Sequence, residues 1–91
     1  MTVARRFIVR GCVQGVGFRY FAIMAARRAG IVGTVRNMPD GTVEAIAEGP
    51  AELMAEFRKQ LRFGPSHAEV TAVDEIEIPV SGRYKAFDVE Y

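Results

Sequence analysis

Between residues 11 and 19 the chain reads Gly-Cys-Val-Gln-Gly-Val-Gly-Phe-Arg. Its second half, Gly15-Val16-Gly17-Phe18-Arg19, combines two ways of holding an anion. Glycines let the backbone take conformations that turn successive N–H groups toward one point. Such a nest, continued into the free N–H groups of a helix start, binds phosphate-like groups. Arg19 would stand in the first helical turn, where a positive charge opposes the helix dipole by a few tenths of a kcal/mol up to about 1. A bound anion relieves that conflict, and the planar guanidinium fork can hold two phosphate oxygens at once. The same residues also suit a plain tight turn followed by a solvated arginine, and the spacing alone does not choose between the two. Asn37, just before Pro39-Asp40-Gly41, is a poor strand former and a good turn residue. Its carboxamide both donates and accepts, which suits it to orienting a water.

Other reactive side chains are sparse. The chain has one cysteine and one histidine, too few for a four-ligand zinc site or a disulfide. Cys12, at a strand end, reads as a small apolar packing residue, and His67, after Gly64-Pro65-Ser66, as a surface-loop residue. Any serine- or cysteine-nucleophile mechanism would depend on His67 alone. Glu44, Glu48, Asp88 and Glu90 alternate along strands, the pattern of a solvated sheet face. Asp74, Glu75 and Glu77 form an acidic run with no second cluster beside it. Phe18-Arg19-Tyr20-Phe21 reads mostly as helix core.

The elements that must carry these residues follow from hydrophobic period. Residues 5–12 form a strand with Phe7 and Val9 on one face and Arg6 and Arg10 on the other. After the glycine turn the period lengthens. Phe18, Phe21, Ala22, Ala25 and Ala29 mark a helix that Arg27 and Arg28 suit at its end and Gly30 terminates. Residues 32–38 and 42–48 flank Pro39-Asp40-Gly41 as a β-hairpin, with Val43, Ala45 and Ala47 inward. Gly49-Pro50 opens a second helix with Pro50 at its first position. Leu53, Met54, Phe57 and Leu61 line that helix, and Gly64-Pro65 stops it. Residues 69–78 read as an irregular strand and 85–91 as a last strand with Phe87, Val89 and Tyr91 alternating. The order βαββαβ, with one apolar stripe per helix, predicts an α+β ferredoxin-like two-layer sandwich. Its sheet is mainly antiparallel and both helices lie on one face.

Length and charge narrow the function. Ninety-one residues make one domain, expected over 1–91, since two cores would need roughly 50 residues each. Twelve Lys and Arg against eleven Asp and Glu leave a net charge of +1. The pI of about 7.9 is below the value above about 9 usual for nucleic-acid binders. RNA-recognition motifs share the βαββαβ order, but their aromatics lie on central strands, whereas here they fall at a helix start. The first apolar run breaks at Arg10. A signal peptide needs about 7–15 apolar residues and a membrane helix about 20, so a soluble cytoplasmic protein is expected.

Gly11-Cys12-Val13-Gln14-Gly15-Val16-Gly17-Phe18-Arg19 closely resembles the acylphosphatase signature Gly-x-Val-Gln-Gly-Val-x-Phe-Arg. Gly33-Thr34-Val35-Arg36-Asn37 with Asp40-Gly41-Thr42-Val43-Glu44 is similar to the family's second block, and Gly64 through Val70 to a weaker third. The resemblance covers nearly the whole chain. It departs at Thr34, where many members have Trp, and at Ser66, where Pro is common. The resemblance implies metal-independent hydrolysis of small acyl phosphates to carboxylate and inorganic phosphate, with no cofactor. It maps phosphate binding to Arg19 and the main-chain amides of Gln14, Gly15, Val16, Gly17 and Phe18, and orientation of the attacking water to Asn37. Related domains also begin hydrogenase-maturation carbamoyltransferases; the length here favours a stand-alone enzyme, with carbamoyl phosphate one possible substrate. The expected partners are the acyl phosphate and inorganic phosphate, without nucleic acid or membrane, and the expected state is a monomer.

The chemistry fits so plain a set of residues. The departing carboxylate has a conjugate acid of pKa near ~4, by analogy with Asp and Glu, so it leaves without a proton. A loose phosphoryl-transfer transition state asks little of the nucleophile. Positioning and charge stabilisation remain, and one Arg, a ring of N–H groups and one Asn can supply them.

Overall fold

The structure, a computed structural model, describes residues Met1–Tyr91. Five strands and two helices follow in the order β1 (Thr2–Cys12), α1 (Phe18–Ala29), β2 (Val32–Asn37), β3 (Val43–Pro50), α2 (Ala51–Phe63), β4 (Glu69–Ile78) and β5 (Phe87–Val89). The sheet order is β4-β1-β3-β2-β5. Every pairing is antiparallel except β2 with β5, which is parallel. This is the expected ferredoxin-like α+β sandwich.

Both helices feed one core. Phe7 and Val9 of β1, Val43, Ala45 and Ala47 of β3 and Val35 of β2 meet Phe18 and Ala22 of α1 and Met54, Phe57 and Leu61 of α2. The Phe57 ring lies edge-on to Phe7 at 5.7 Å and to Phe87 at 5.8 Å. It ties α2 to β1 and to the short last strand, the arrangement that aromatic quadrupoles favour.

Several boundaries differ from expectation for physical reasons. Pro50 is not the first residue of α2 but flanks it, with extended φ −60° and ψ 135°. The β1–β3 pairing runs through Thr2 opposite Pro50, and the Ala51 N–H donates to Met1 O at 2.9 Å, so the chain stays extended one residue longer. β4 is irregular, as expected: its register with β1 shifts between Arg10, opposite Ala72, and Gly11, opposite Val70, so Thr71 is the extra residue. There Gly11 of β1 has φ 123°, and a Cβ would lie 2.0 Å from Glu69 O, so the position opposite the bulge admits only glycine. β5 has three residues rather than seven and pairs with Gly33, Thr34 and Val35 of β2.

The sheet face away from the helices is not simply solvated. Glu44 and Glu48 are 6% and 3% exposed. Glu44 accepts from Arg6 Nε at 2.6 Å and Arg36 Nε at 2.9 Å. Burial pushes its pKa up, but the two arginine hydrogen bonds and their charges outweigh that, and the net shift is downward. Glu48 is clasped by the C-terminal segment. Ser81 N–H and Oγ–H donate to its Oε2 at 2.9 and 2.7 Å, and Gly82 N–H to its Oε1 at 3.1 Å. Burial raises its pKa too, yet these donors bring it below the ordinary value. The acidic run on β4 is used in ion pairs: Asp74 with Arg10, and Glu75 with Arg5 and Arg58.

Candidate active site

The loop from Val13 to Gly17 follows Cys12, the last residue of β1, and enters α1. Gly15 and Gly17 have φ of 75° and 79°, a left-handed conformation that costs other residues roughly 1–2 kcal/mol. Gly17 is the residue before the first helical turn and offers no side-chain cap. The N–H groups of Gln14, Gly15, Val16 and Gly17 donate to no carbonyl or side chain of the protein. The first turn of α1 adds more free N–H groups, as every helix start does, and it holds no acidic residue. A concave, donor-rich and positively polarised surface results.

Arg19 projects from that first turn. It is half-buried and makes no ion pair or hydrogen bond within the protein. Its one close partner is the Tyr91 ring, 5.8 Å from the guanidinium carbon. Six other arginines are paired with carboxylates (Arg5, Arg6, Arg10, Arg27, Arg36 and Arg58), so a free, half-buried guanidinium at a helix N-terminus stands out as a site for an anion.

Asn37 closes β2, opposite Val43 in register, and its half-buried carboxamide has no partner within the protein. The turn after it is firmly built. Met38 N–H donates to Thr42 O at 2.8 Å, and Gly41 N–H to Met38 O at 3.1 Å. Asp40 Oδ1 accepts from the Thr42 hydroxyl at 2.7 Å and the Thr42 N–H at 3.0 Å, which together hold its carboxyl below the usual pKa. Gln14 links this turn to the glycine loop. Its Nε2 donates to Met38 O at 2.8 Å and to Thr42 O at 2.9 Å, so the N–H cradle and the strand end bearing Asn37 are held together.

Arg19 and Asn37 line one cleft of about 280 Å³ with Gly15, Gly17 and Phe18. Gln14 and Val16 do not line it. Their N–H groups are unpaired, but the Gln14 side chain is spent on the neighbouring turn. The cleft also has a wall that the sequence reasoning missed: Tyr20 and Ile23 from α1, Val89 from β5, and Tyr91. Phe18 is core, as expected, but Tyr20 is 70% exposed, contrary to its expected place in the core. Its position beside Arg19 on the helix and the alternation of Val89 with Tyr91 were the available signals. Cys12 is exposed rather than packed, and His67 lies exposed on the α2–β4 turn, away from the cleft. No three His, Cys, Asp or Glu side chains converge on a point where a metal ion would sit.

Residues 5–89 match the family model described as Acylphosphatase. The chain belongs to the acylphosphatase family. It is 42% identical over 89 residues to an acylphosphatase from Arthrobacter sp., covering 98% of this chain and 82% of that one. The fold superposes on the crystal structure of acylphosphatase from Bacillus subtilis with a TM-score of 0.93 at 37% identity, each chain covered in full. The acylphosphatase fold also forms part of a larger protein. Full-length HypF in its phosphate- and nucleotide-bound form matches all of this chain over 12% of its own length, with a TM-score of 0.92 at 28% identity.

Proposed function

We propose that this chain hydrolyses the carboxyl–phosphate bond of small acyl phosphates, without a metal or cofactor, in the cleft between the 13–17 loop and the end of β2. The N–H groups of Gln14 through Phe18 and the Arg19 guanidinium hold the phosphoryl oxygens. The Asn37 carboxamide accepts a hydrogen bond from a water and aims it at phosphorus, in line with the acyl oxygen. As the new P–O bond forms, the bond from phosphorus to the acyl oxygen breaks and its electron pair departs on the carboxylate. One proton of the water stays on inorganic phosphate and the other passes to solvent. The donors are fixed by the fold before substrate arrives, which is the condition under which they stabilise developing charge most strongly.

The observation that carries this reading is that a partnerless guanidinium, a partnerless carboxamide and two glycines with unpaired N–H groups, Gly15 and Gly17, line one cleft. Membership of a family of acyl phosphate hydrolases supports it. In the same proposal residues 1–91 act as one domain, a cytoplasmic monomer that engages no nucleic acid or membrane. No helix is long and apolar enough to cross a membrane. The test is hydrolysis of benzoyl phosphate in the presence of a chelator, with inorganic phosphate as competitor. Turnover with competitive inhibition by phosphate is expected. No turnover, or turnover that stops when divalent metals are chelated, overturns the proposal.

A further inference from the structure

The phosphate cradle occupies only one end of the cleft. Ile23 lies six residues beyond Gly17, about 9 Å along the helix axis at 1.5 Å per residue. The wall formed by Tyr20, Ile23, Val89 and Tyr91 therefore runs along the flank of α1, away from the N–H groups at its start. A cleft of about 280 Å³ is more than a phosphate group needs and approaches the roughly 300–1,000 Å³ usual for small-molecule sites.

The chemistry of that wall is one-sided. Tyr20 and Tyr91 are 70% and 98% exposed, two large rings in water at the same cleft and outside the core. Ile23 and Val89 are half-buried beside them. No Lys, His, Asp or Glu lines the cleft, and its one cation is Arg19, which the proposed reaction commits to phosphate. A substrate whose acyl group carried a second negative charge would meet no counter-charge there. An aromatic acyl group would meet ring faces and branched aliphatic surface, the contacts that offset stacking and apolar burial reward.

We infer that Tyr20, Ile23, Val89 and Tyr91 form an acyl subsite selecting acyl phosphates with apolar, aromatic or branched acyl groups over short or carboxylate-bearing ones. The inference rests on the function proposed above and adds a substrate class to it. An open apolar wall discriminates at the low end of what hydrophobic pockets achieve, about tenfold.

The test compares kcat/KM for benzoyl, acetyl and succinyl phosphate in the wild type, Tyr20→Ser and Tyr91→Ser. These acyl groups leave as carboxylates whose conjugate acids have pKa of about 4–5, by analogy with Asp and Glu; leaving-group ability therefore contributes to the wild-type ratio, and comparing that ratio between variant and wild type cancels it. Benzoyl phosphate is expected to exceed acetyl phosphate by about tenfold, with succinyl phosphate no better than acetyl. Each variant is expected to lower the benzoyl-to-acetyl ratio by about threefold or more, through KM for benzoyl phosphate. Because the ratio is taken within one variant, a loss of folded protein cancels. Equal kcat/KM for benzoyl and acetyl phosphate in the wild type, or an unchanged ratio in both variants, overturns the subsite and leaves hydrolysis standing. Turnover of none of the three overturns the proposed function and the subsite with it.

Discussion

Arg19→Ala separates chemistry from stability, because Arg19 makes no ion pair or hydrogen bond within the protein. Two charge-assisted hydrogen bonds from its fork to phosphate, at about 1.5–3 kcal/mol each, amount to roughly 3–6 kcal/mol. At about 1.4 kcal/mol per tenfold, kcat/KM falls by about 10²–10⁴. The effect on stability is the sum of small opposed terms. Removing a positive charge from the first turn of α1 stabilises by about 0.3–1 kcal/mol. Alanine's better helix propensity adds a few tenths. Loss of the contact with the Tyr91 ring, at 5.8 Å, costs about 0.5–1 kcal/mol. These nearly cancel, and at about 4–8 °C per kcal/mol for a domain of this size Tm should move by less than ~4 °C. Arg19→Lys keeps the charge and loses the fork, so it should fall between wild type and alanine. Arg28→Ala, at the far end of the same helix and exposed, is the control and should leave kcat/KM unchanged. The assay is metal-free hydrolysis of benzoyl phosphate with phosphate as competitor, beside thermal melts by circular dichroism. An Arg19→Ala enzyme within tenfold of wild type, or one whose Tm falls by more than ~8 °C, would refute the reasoning: the first by removing Arg19 from the phosphate, the second by making it structural.

Asn37→Ala is expected to lower kcat by about 10²–10³ while the inhibition constant for inorganic phosphate stays within about threefold; steady-state kinetics with phosphate competition decide it, and equal losses in both would place Asn37 in the phosphate grip rather than on the water. Gln14→Ala removes the two bonds to Met38 O and Thr42 O, so it should cost about 1–3 kcal/mol in urea unfolding at ~0.5–1.5 each and lower kcat as Asn37 drifts from the cradle. Gln14→Glu, which sets a carboxylate against two carbonyl oxygens, should be worse. Glu44 and Glu48 both have folded pKa values below 4.5, so the stability they supply is present above pH 4.5 and is lost as pH falls from there through the folded values. The urea midpoint should drop in that acid window, and Glu48→Gln should flatten the drop.

The fold was legible where local period and punctuation agree with the final packing. α1 runs from Phe18 to Ala29 and stops at Gly30 as the three-and-four spacing predicts, because Phe18, Ala22 and Ala25 of the stripe are buried. The hairpin of β2 and β3 followed from Pro39-Asp40-Gly41 for the same reason: turn chemistry acts between near neighbours. What escaped was non-local. Alternation showed that Glu44 and Glu48 point away from the helices but not what covers them. Arginines from two neighbouring strands cover one, and a segment more than thirty residues downstream clasps the other.

The site divides along the same line. The cradle is contiguous in sequence, so the spacing of Gly15, Gly17 and Arg19 suggested it, though a plain tight turn suited the same residues. Asn37 needed the resemblance, since a strand-end asparagine has a turn role that explains it as well. The apolar wall depends on β5 being laid beside β2 in parallel, which brings the chain end to the flank of α1. That placement starts at the buried Glu48 clasp, from which the chain runs through Phe87, pinned by the Phe57 ring, to Val89 and Tyr91. A carboxylate on the face of the sheet away from the helices thus helps position the Tyr91 ring that would meet the acyl group. This predicts a coupling that neither the cradle nor the wall shows alone: loosening the clasp should weaken selection among acyl groups before it weakens the grip on phosphate, because the Gln14 bridge that holds the cradle in place is independent of β5.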